Sequence, residues 1–160
     1  MTPVTGTVMS TVPAPTITRA DLPRRPPAEL LAAARHGLTQ AAITERPAER
    51  FALAHLAALR AAACVLAVRA VPAPSSPGRP ARGRRPASAW RLLAVVAPEL
   101  GEWAAFFAAG AAKRAAAEAG MPGAVTVREA DDLLREAEAF LTTVTASLQR
   151  IGPASTASPR

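Results

Sequence analysis

Three alanine-packed stretches leave this chain little choice of fold. ERFALAHLAALRAAACVLAV begins near residue 49, SAWRLLAVVAPELGEWAAFFAAGAAKRAAAEAG near residue 88, and TVREADDLLREAEAFL near residue 126. Alanine is the strongest helix former, and its methyl group lets helix axes approach closely. No stretch shows the two-residue alternation of a half-buried strand. Half of the 160 residues are apolar, yet the aromatics are only two Trp and four Phe. These proportions predict an all-α chain with one thin but continuous core.

Proline and polar caps place the boundaries. Residues 1–26 are rich in Pro, Thr and Val without helical period, which predicts a disordered N-terminal arm. Pro27 opens the first helix, and Pro47 opens a second that runs to about Val71. VPAPSSPGRPARGRRP, spanning residues 71–86, cannot fold regularly, because its prolines lack amide hydrogens and its arginines and glycines offer nothing to bury. A long flexible loop is expected over residues 71–87.

Ser88 is a good N-cap for a third helix, which Pro98 interrupts and which then continues to about residue 119. Gly120, Pro122 and Gly123 stop it. Thr126 and Glu129 have the capping-box spacing that opens a fourth helix. Residues 27–151 are therefore expected to form an antiparallel four-helix bundle, followed by a disordered tail over residues 152–160.

Two apolar faces are visible. The last helix aligns Leu133, Leu134, Ala137, Phe140, Leu141, Val144 and Leu148. The second helix aligns Phe51, His55, Ala58, Leu59, Ala62, Val65 and Leu66. Trp103 and Phe107 share a core-facing side of the third helix. Phe106 projects among Glu99, Glu102 and Lys113, as an interface anchor would.

The formal net charge of +7 is unevenly spread. Segments 28–70 and 88–152 carry 11 basic and 11 acidic residues, so the helical body is neutral. The excess lies in the flanks and above all in Arg79, Arg82, Arg84 and Arg85 of the loop. Such a cluster fits a solubilising linker, and it can also touch the phosphates of a nucleic acid.

Little else carries chemistry. His55, on an apolar face, fits a core imidazole bonded to a carbonyl, with a titrating catalytic or binding histidine as the alternative. His36 reads as a solvated helix residue. Of Glu129, Asp131, Asp132, Glu136 and Glu138, several lie one turn from Arg128 or Arg135, and the cluster reads as surface ion pairs. Two histidines and one cysteine, widely spaced, make no metal site. There is no phosphate loop or nucleophile elbow, and no cofactor is expected. Cys64 is alone, which fits a reducing compartment. The N-terminus lacks a secretory pattern, and Arg60, Arg69, Glu99 and Glu102 break the apolar runs short of a membrane span. A cytoplasmic protein without a membrane segment is the expectation.

The blocks AHLAALRAAACVLA, SAWRLLAVVAPELGEWAAFFAAGAAKRAAAEAG and VTVREADDLLREAEAFL resemble a family of actinobacterial HEPN-domain proteins (higher eukaryotes and prokaryotes nucleotide-binding). The resemblance covers roughly residues 28–150. It implies a HEPN-like four-helix bundle, frequent homodimerisation, and either metal-independent ribonuclease activity or a non-catalytic binding role. Active members use an arginine and a histidine four to six residues apart. Arg50 and His55 fit that spacing here, although Phe51 stands where a polar residue is usual and the pair lies early in the bundle. By the resemblance, His55 would move protons at the ribose 2′-hydroxyl and the leaving oxygen while Arg50 stabilised the phosphate charge. Five residues along a helix turn about 140°, so the two do not share a face. The preferred expectation is a nucleotide- or nucleic-acid-linked binding or interaction module without catalysis. A metal-independent endoribonuclease and a purely protein-binding adaptor are the alternatives, with a homodimer, RNA or nucleotide, or another protein as partner.

Overall fold

The computed structural model describes residues 25–69 and 88–151, and every regular element among them is helical. The elements are α1 (Pro27–Ile43), α2 (Pro47–Arg69), α3 (Ala89–Val96), a 3-10 turn (Pro98–Leu100), α4 (Gly101–Glu118) and α5 (Val127–Ile151). The expected third helix does not resume in line after Pro98: Trp90 at the start of α3 stacks on Phe107 in the middle of α4, so α3 folds back beside α4 within the four-helix-bundle arrangement. The N-terminal arm up to residue 24, the loop 70–87 with its four arginines, and the tail 152–160 lie outside the described residues.

Local signals set the helix ends. Pro27 occupies the first turn of α1, where its missing amide costs nothing. The Ser88 hydroxyl accepts a bond from the Arg91 amide at 3.3 Å and starts α3. Pro98 has no amide to continue α3, so the chain makes one tight turn before α4 begins. Gly120, at φ 70°, ends α4. Its amide bonds the Ala117 carbonyl and the Met121 amide bonds Ala116, a Schellman pair that satisfies the last carbonyls. The expected capping box opens α5: the Glu129 amide donates to Thr126 Oγ1 at 3.2 Å, and the Thr126 amide donates to Glu129 Oε2 at 2.9 Å.

With α2 at the centre, α4 runs antiparallel to it, His55 lying beside Phe107 and Arg69 beside Glu99, while the short α3 runs parallel to α2 from Trp90 beside His55 toward Glu99. The central α2 packs against α1, α3, α4 and α5. By length and mean hydropathy (2.0), α2 could cross a membrane. Its apolarity has another cause here, namely that four helices surround it. The expected stripe is buried or half-buried, but a second arc of Ala54, Ala57, Ala61 and Cys64 is buried as well.

Alanine makes this geometry possible. Twelve of the 24 core residues are Ala, so side-chain bulk cannot hold the axes apart. A Cβ on Gly37 would lie 3.2 Å from Ala57 Cβ, which marks the tight α1–α2 contact. Pairing of Arg50 with Asp131 near the starts of α2 and α5, and of Arg69 with Ser147 near their ends, shows that these two helices run parallel. Both are nevertheless in direct contact, because Ala130 and Ala137 of α5 are small and fully buried.

The remaining bulk is aromatic. Phe107 lies at the hub, with Trp90 stacked on it at 5.1 Å between ring centroids and Phe140 at 5.3 Å. Trp103 packs on Phe140 at 5.6 Å. The α5 face runs through Leu133, Ala137, Phe140, Leu141 and Val144 as its period predicts, with Leu134 and Leu148 half-buried at its margin.

Candidate functional site

His55 lies in the middle of α2, buried with 1 % of its surface exposed. Its Nε2 is 2.8 Å from the main-chain carbonyl oxygen of Phe107. A carbonyl only accepts, so Nε2 carries the proton and donates it. Among the described residues, Nδ1 has no hydrogen-bond partner. The ring edges meet Trp90 and Phe107 at 5.8 and 6.0 Å between centroids. Gly110 lies beside it: a Cβ there would lie 3.4 Å from His55 Cδ2. Burial pushes the imidazole below its ordinary value of 6.5, against an upward pull from its bond to the Phe107 carbonyl. Arg114 adds a smaller downward effect and Glu118 an upward one. The ring is held neutral in an apolar cage.

Arg50 points elsewhere. Its Nε donates to the Thr44 carbonyl at 3.0 Å, and its Nη1 pairs with Asp131 of α5. The fork therefore clamps the end of α1 and the first turn of α5, with the Arg50 side chain 20 % exposed. Arg50 and His55 thus face different neighbours, as the helical angle requires.

The acids of α5 behave partly as expected. Asp132 takes both Arg128, at 3.8 Å, and Arg135. Asp131 and Glu129 reach across the bundle instead, to Arg50 and Lys113. Lys113 and the Thr126 amide hold the Glu129 carboxyl down at about 2. Among the described residues no group of His, Cys, Asp and Glu is arranged to hold a metal ion. His36 is exposed. Cys64 is free and buried, its thiol 3.2 Å from the Pro27 carbonyl and pushed up by burial.

Two concavities lie away from His55. An open groove of about 690 Å³ lies between the start of α2 and the α4–α5 loop, with Arg46, Glu49, Glu118 and Met121 on its walls. A smaller apolar one of about 270 Å³ lies at the other end, over Cys64 between Pro27, Val68 and Leu148.

The surface of α3 and α4 exposes three large hydrophobic residues, as other parts of the bundle do at Ile43, Val68, Met121, Val127 and Ile151. Phe106 is 44 % exposed, and its ring meets Phe107 edge-on at 5.1 Å. Leu92 and Val95 on α3 are 44 % and 78 % exposed. The sequence reading singled out Phe106 but missed Leu92 and Val95. Their i, i+3 spacing could have shown them on one side of α3, but not that this side faces outward.

Residues 41–145 match the SAV_6107-like HEPN family. No curated protein and no solved structure matches the chain. The match spans α2 to most of α5, the part of the bundle built around His55 and the aromatic hub. The chain belongs to the SAV_6107-like HEPN family.

Proposed function

We propose that this protein is a binding or interaction module linked to nucleotide or nucleic acid, and that it works by docking rather than by chemistry at Arg50 and His55. One observation carries the reading. The Nε2 of His55 is already bonded to a backbone carbonyl inside the core, on a ring that is 1 % exposed. A general base must come within hydrogen-bond reach of the proton it takes. Arg50 is likewise engaged by Asp131 and the Thr44 carbonyl, which occupy the fork that would stabilise a phosphate. The same α2–α4 pairing that buries His55 leaves Phe106 and its alanine neighbours on the outside.

The experiment is RNA cleavage in EDTA by the wild-type chain and by His55→Ala, with circular dichroism on both. The expected result is no cleavage that depends on His55. Cleavage lost only in a folded His55→Ala protein would establish the ribonuclease reading instead. The nucleic-acid link is assigned to Arg79, Arg82, Arg84 and Arg85. Deleting residues 72–86 should weaken RNA binding and flatten its dependence on salt. Unchanged binding after the deletion would remove that assignment. The module belongs in the cytoplasm on this reading, in keeping with the free, buried Cys64.

A further inference from the structure

One end of the bundle carries an open apolar groove. Helix α1 begins there, and α2 and α5 end there. Between them lies a space of about 270 Å³, walled by Pro27 and Leu31 of α1, Cys64 and Val68 of α2, and Leu148 and Ile151 of α5. No charged side chain lines it. Val68 and Ile151 on its rim are 41 % and 48 % exposed. The Cys64 thiol is buried at its floor, where it donates to the Pro27 carbonyl.

From this groove we infer that it seats the end of the chain's own N-terminal arm, with Leu22 filling the space between Val68 and Ile151. Three stretches of chain start from its rim: residues up to 24 lead into α1, residues from 70 leave α2, and residues from 152 leave α5. Residues 152–160 contain no Val, Leu, Ile, Met or aromatic residue, and residues 70–87 contain only Val71. The arm supplies Ile17 and Leu22 close to its junction with α1. Leu22 is five residues from Pro27, and five extended residues span up to about 17 Å. Pro26 is extended, at φ −56° and ψ 146°, so the chain enters α1 without an added helical turn. A leucine seated here removes its own apolar surface from water together with that of Val68 and Ile151.

Charge favours the same occupant. Asp21, beside Leu22, is the only acidic residue of the three stretches. Arg150, beside Ile151, is exposed and makes no salt bridge among the described residues. With Leu22 on Ile151, Asp21 comes within reach of Arg150. Residues 70–87 and 152–160 carry positive charge only, which Arg150 repels. The seated arm ties the start of α1 to the ends of α2 and α5 and shields the thiol. It uses none of the loop arginines, so it holds whether or not the protein binds nucleic acid.

The test is alkylation of Cys64, the single cysteine, by iodoacetamide in the folded full chain, followed by mass spectrometry. Leu22→Ser should raise the rate by roughly tenfold, the scale set by burial of one leucine side chain. Asp21→Lys should raise it by a smaller factor, and deletion of residues 152–160 should leave it unchanged. Circular dichroism checks that each variant keeps its helices. In the dilute wild-type chain, methyl NOEs should join Leu22 to Val68 and to Ile151. An unchanged rate in Leu22→Ser overturns the inference, as does the absence of these NOEs. A rate that rises only on deletion of residues 152–160 overturns it in favour of the tail. A rate that falls as the protein is concentrated also overturns it, because a second copy would then cover the groove.

Discussion

The Nε2 of His55 sits 2.8 Å from the carbonyl oxygen of Phe107, so the middle of α2 is tied to the middle of α4 by a bond between a titratable side chain and the backbone. Only the neutral ring suits this position. A second proton would go to Nδ1, which has no acceptor among the described residues and lies in an apolar cage. The folded state therefore holds the imidazole below 6.5, the value near which it titrates once unfolded.

Between the folded and unfolded values the unfolded chain binds more protons, so stability must rise with pH there. The contribution is fully present above about 6.5 and is lost as pH falls from there toward the lower folded value. Urea midpoints at pH 7.5 and pH 5 should show lower stability at the acid end. His55→Leu should flatten that slope. A slope unchanged by the substitution would assign it to other groups. His55→Ala should cost about 2–4 kcal/mol at neutral pH, through lost packing and the lost bond.

Two adjacent phenylalanines should differ sharply. Phe107 is fully buried against Trp90, Trp103 and Phe140, so Phe107→Ala should destabilise by about 3–5 kcal/mol. Phe106 is 44 % exposed, and Phe106→Ala should cost about 1 kcal/mol or less in the monomer. Chemical denaturation at low protein concentration, where association does not contribute, separates the two. Equal losses would mean that Phe106 is a core residue.

The contrast between these neighbours shows what the sequence could and could not say. The α5 face was legible because Leu133, Phe140 and Val144 differ strongly in polarity from Arg135, Glu136 and Glu138. The breaks at Pro98 and Gly120 and the caps at Ser88 and Thr126 were legible because each is a local chemical signal. In α2 the second buried arc was not, because Ala54, Ala57 and Ala61 look the same as the exposed alanines of α4. Partner choice was also hidden. Arg50 finds Asp131 across 81 residues of sequence, while the spacing of the α5 acids pointed only to their local arginines. The family resemblance named Arg50 and His55, but burial of the imidazole depends on how closely α3 and α4 pack against α2, which brings Trp90 and Phe107 onto the ring and is not encoded in the spacing along α2.

The two helical glycines at packing contacts give opposite expectations. At Gly110 an added methyl would meet His55 Cδ2 at 3.4 Å, an ordinary contact, and alanine removes glycine's helix penalty. Gly110→Ala should stabilise by about 0.5–1 kcal/mol. At Gly37 the methyl would meet Ala57 Cβ at 3.2 Å. That neighbour is fixed to the α2 backbone and cannot rotate aside, so Gly37→Ala must spread α1 from α2 and lose the gain or reverse it. Thermal melts of both variants check this. A stabilised Gly37→Ala would show that the α1–α2 contact has slack.

Glu129 sets a second, lower acid transition. Its carboxyl accepts from Lys113 and from the Thr126 amide, and its value falls from 4.5 to about 2. A carboxylate lowered in the folded state contributes stability that is present above 4.5 and is lost as pH falls toward about 2. This window lies below the upper edge of the His55 effect, so the two can be told apart by variant. Lys113→Ala removes the bond that lowers Glu129 most and should move the Glu129 titration back toward 4.5, as followed by carboxyl NMR. Thr126→Ala removes the other half of the capping box and should cost about 1 kcal/mol by loss of the N-cap bond alone. If Glu129 titrates unchanged in Lys113→Ala, the α4–α5 ion pair does not form in solution, and the cap alone holds the carboxylate.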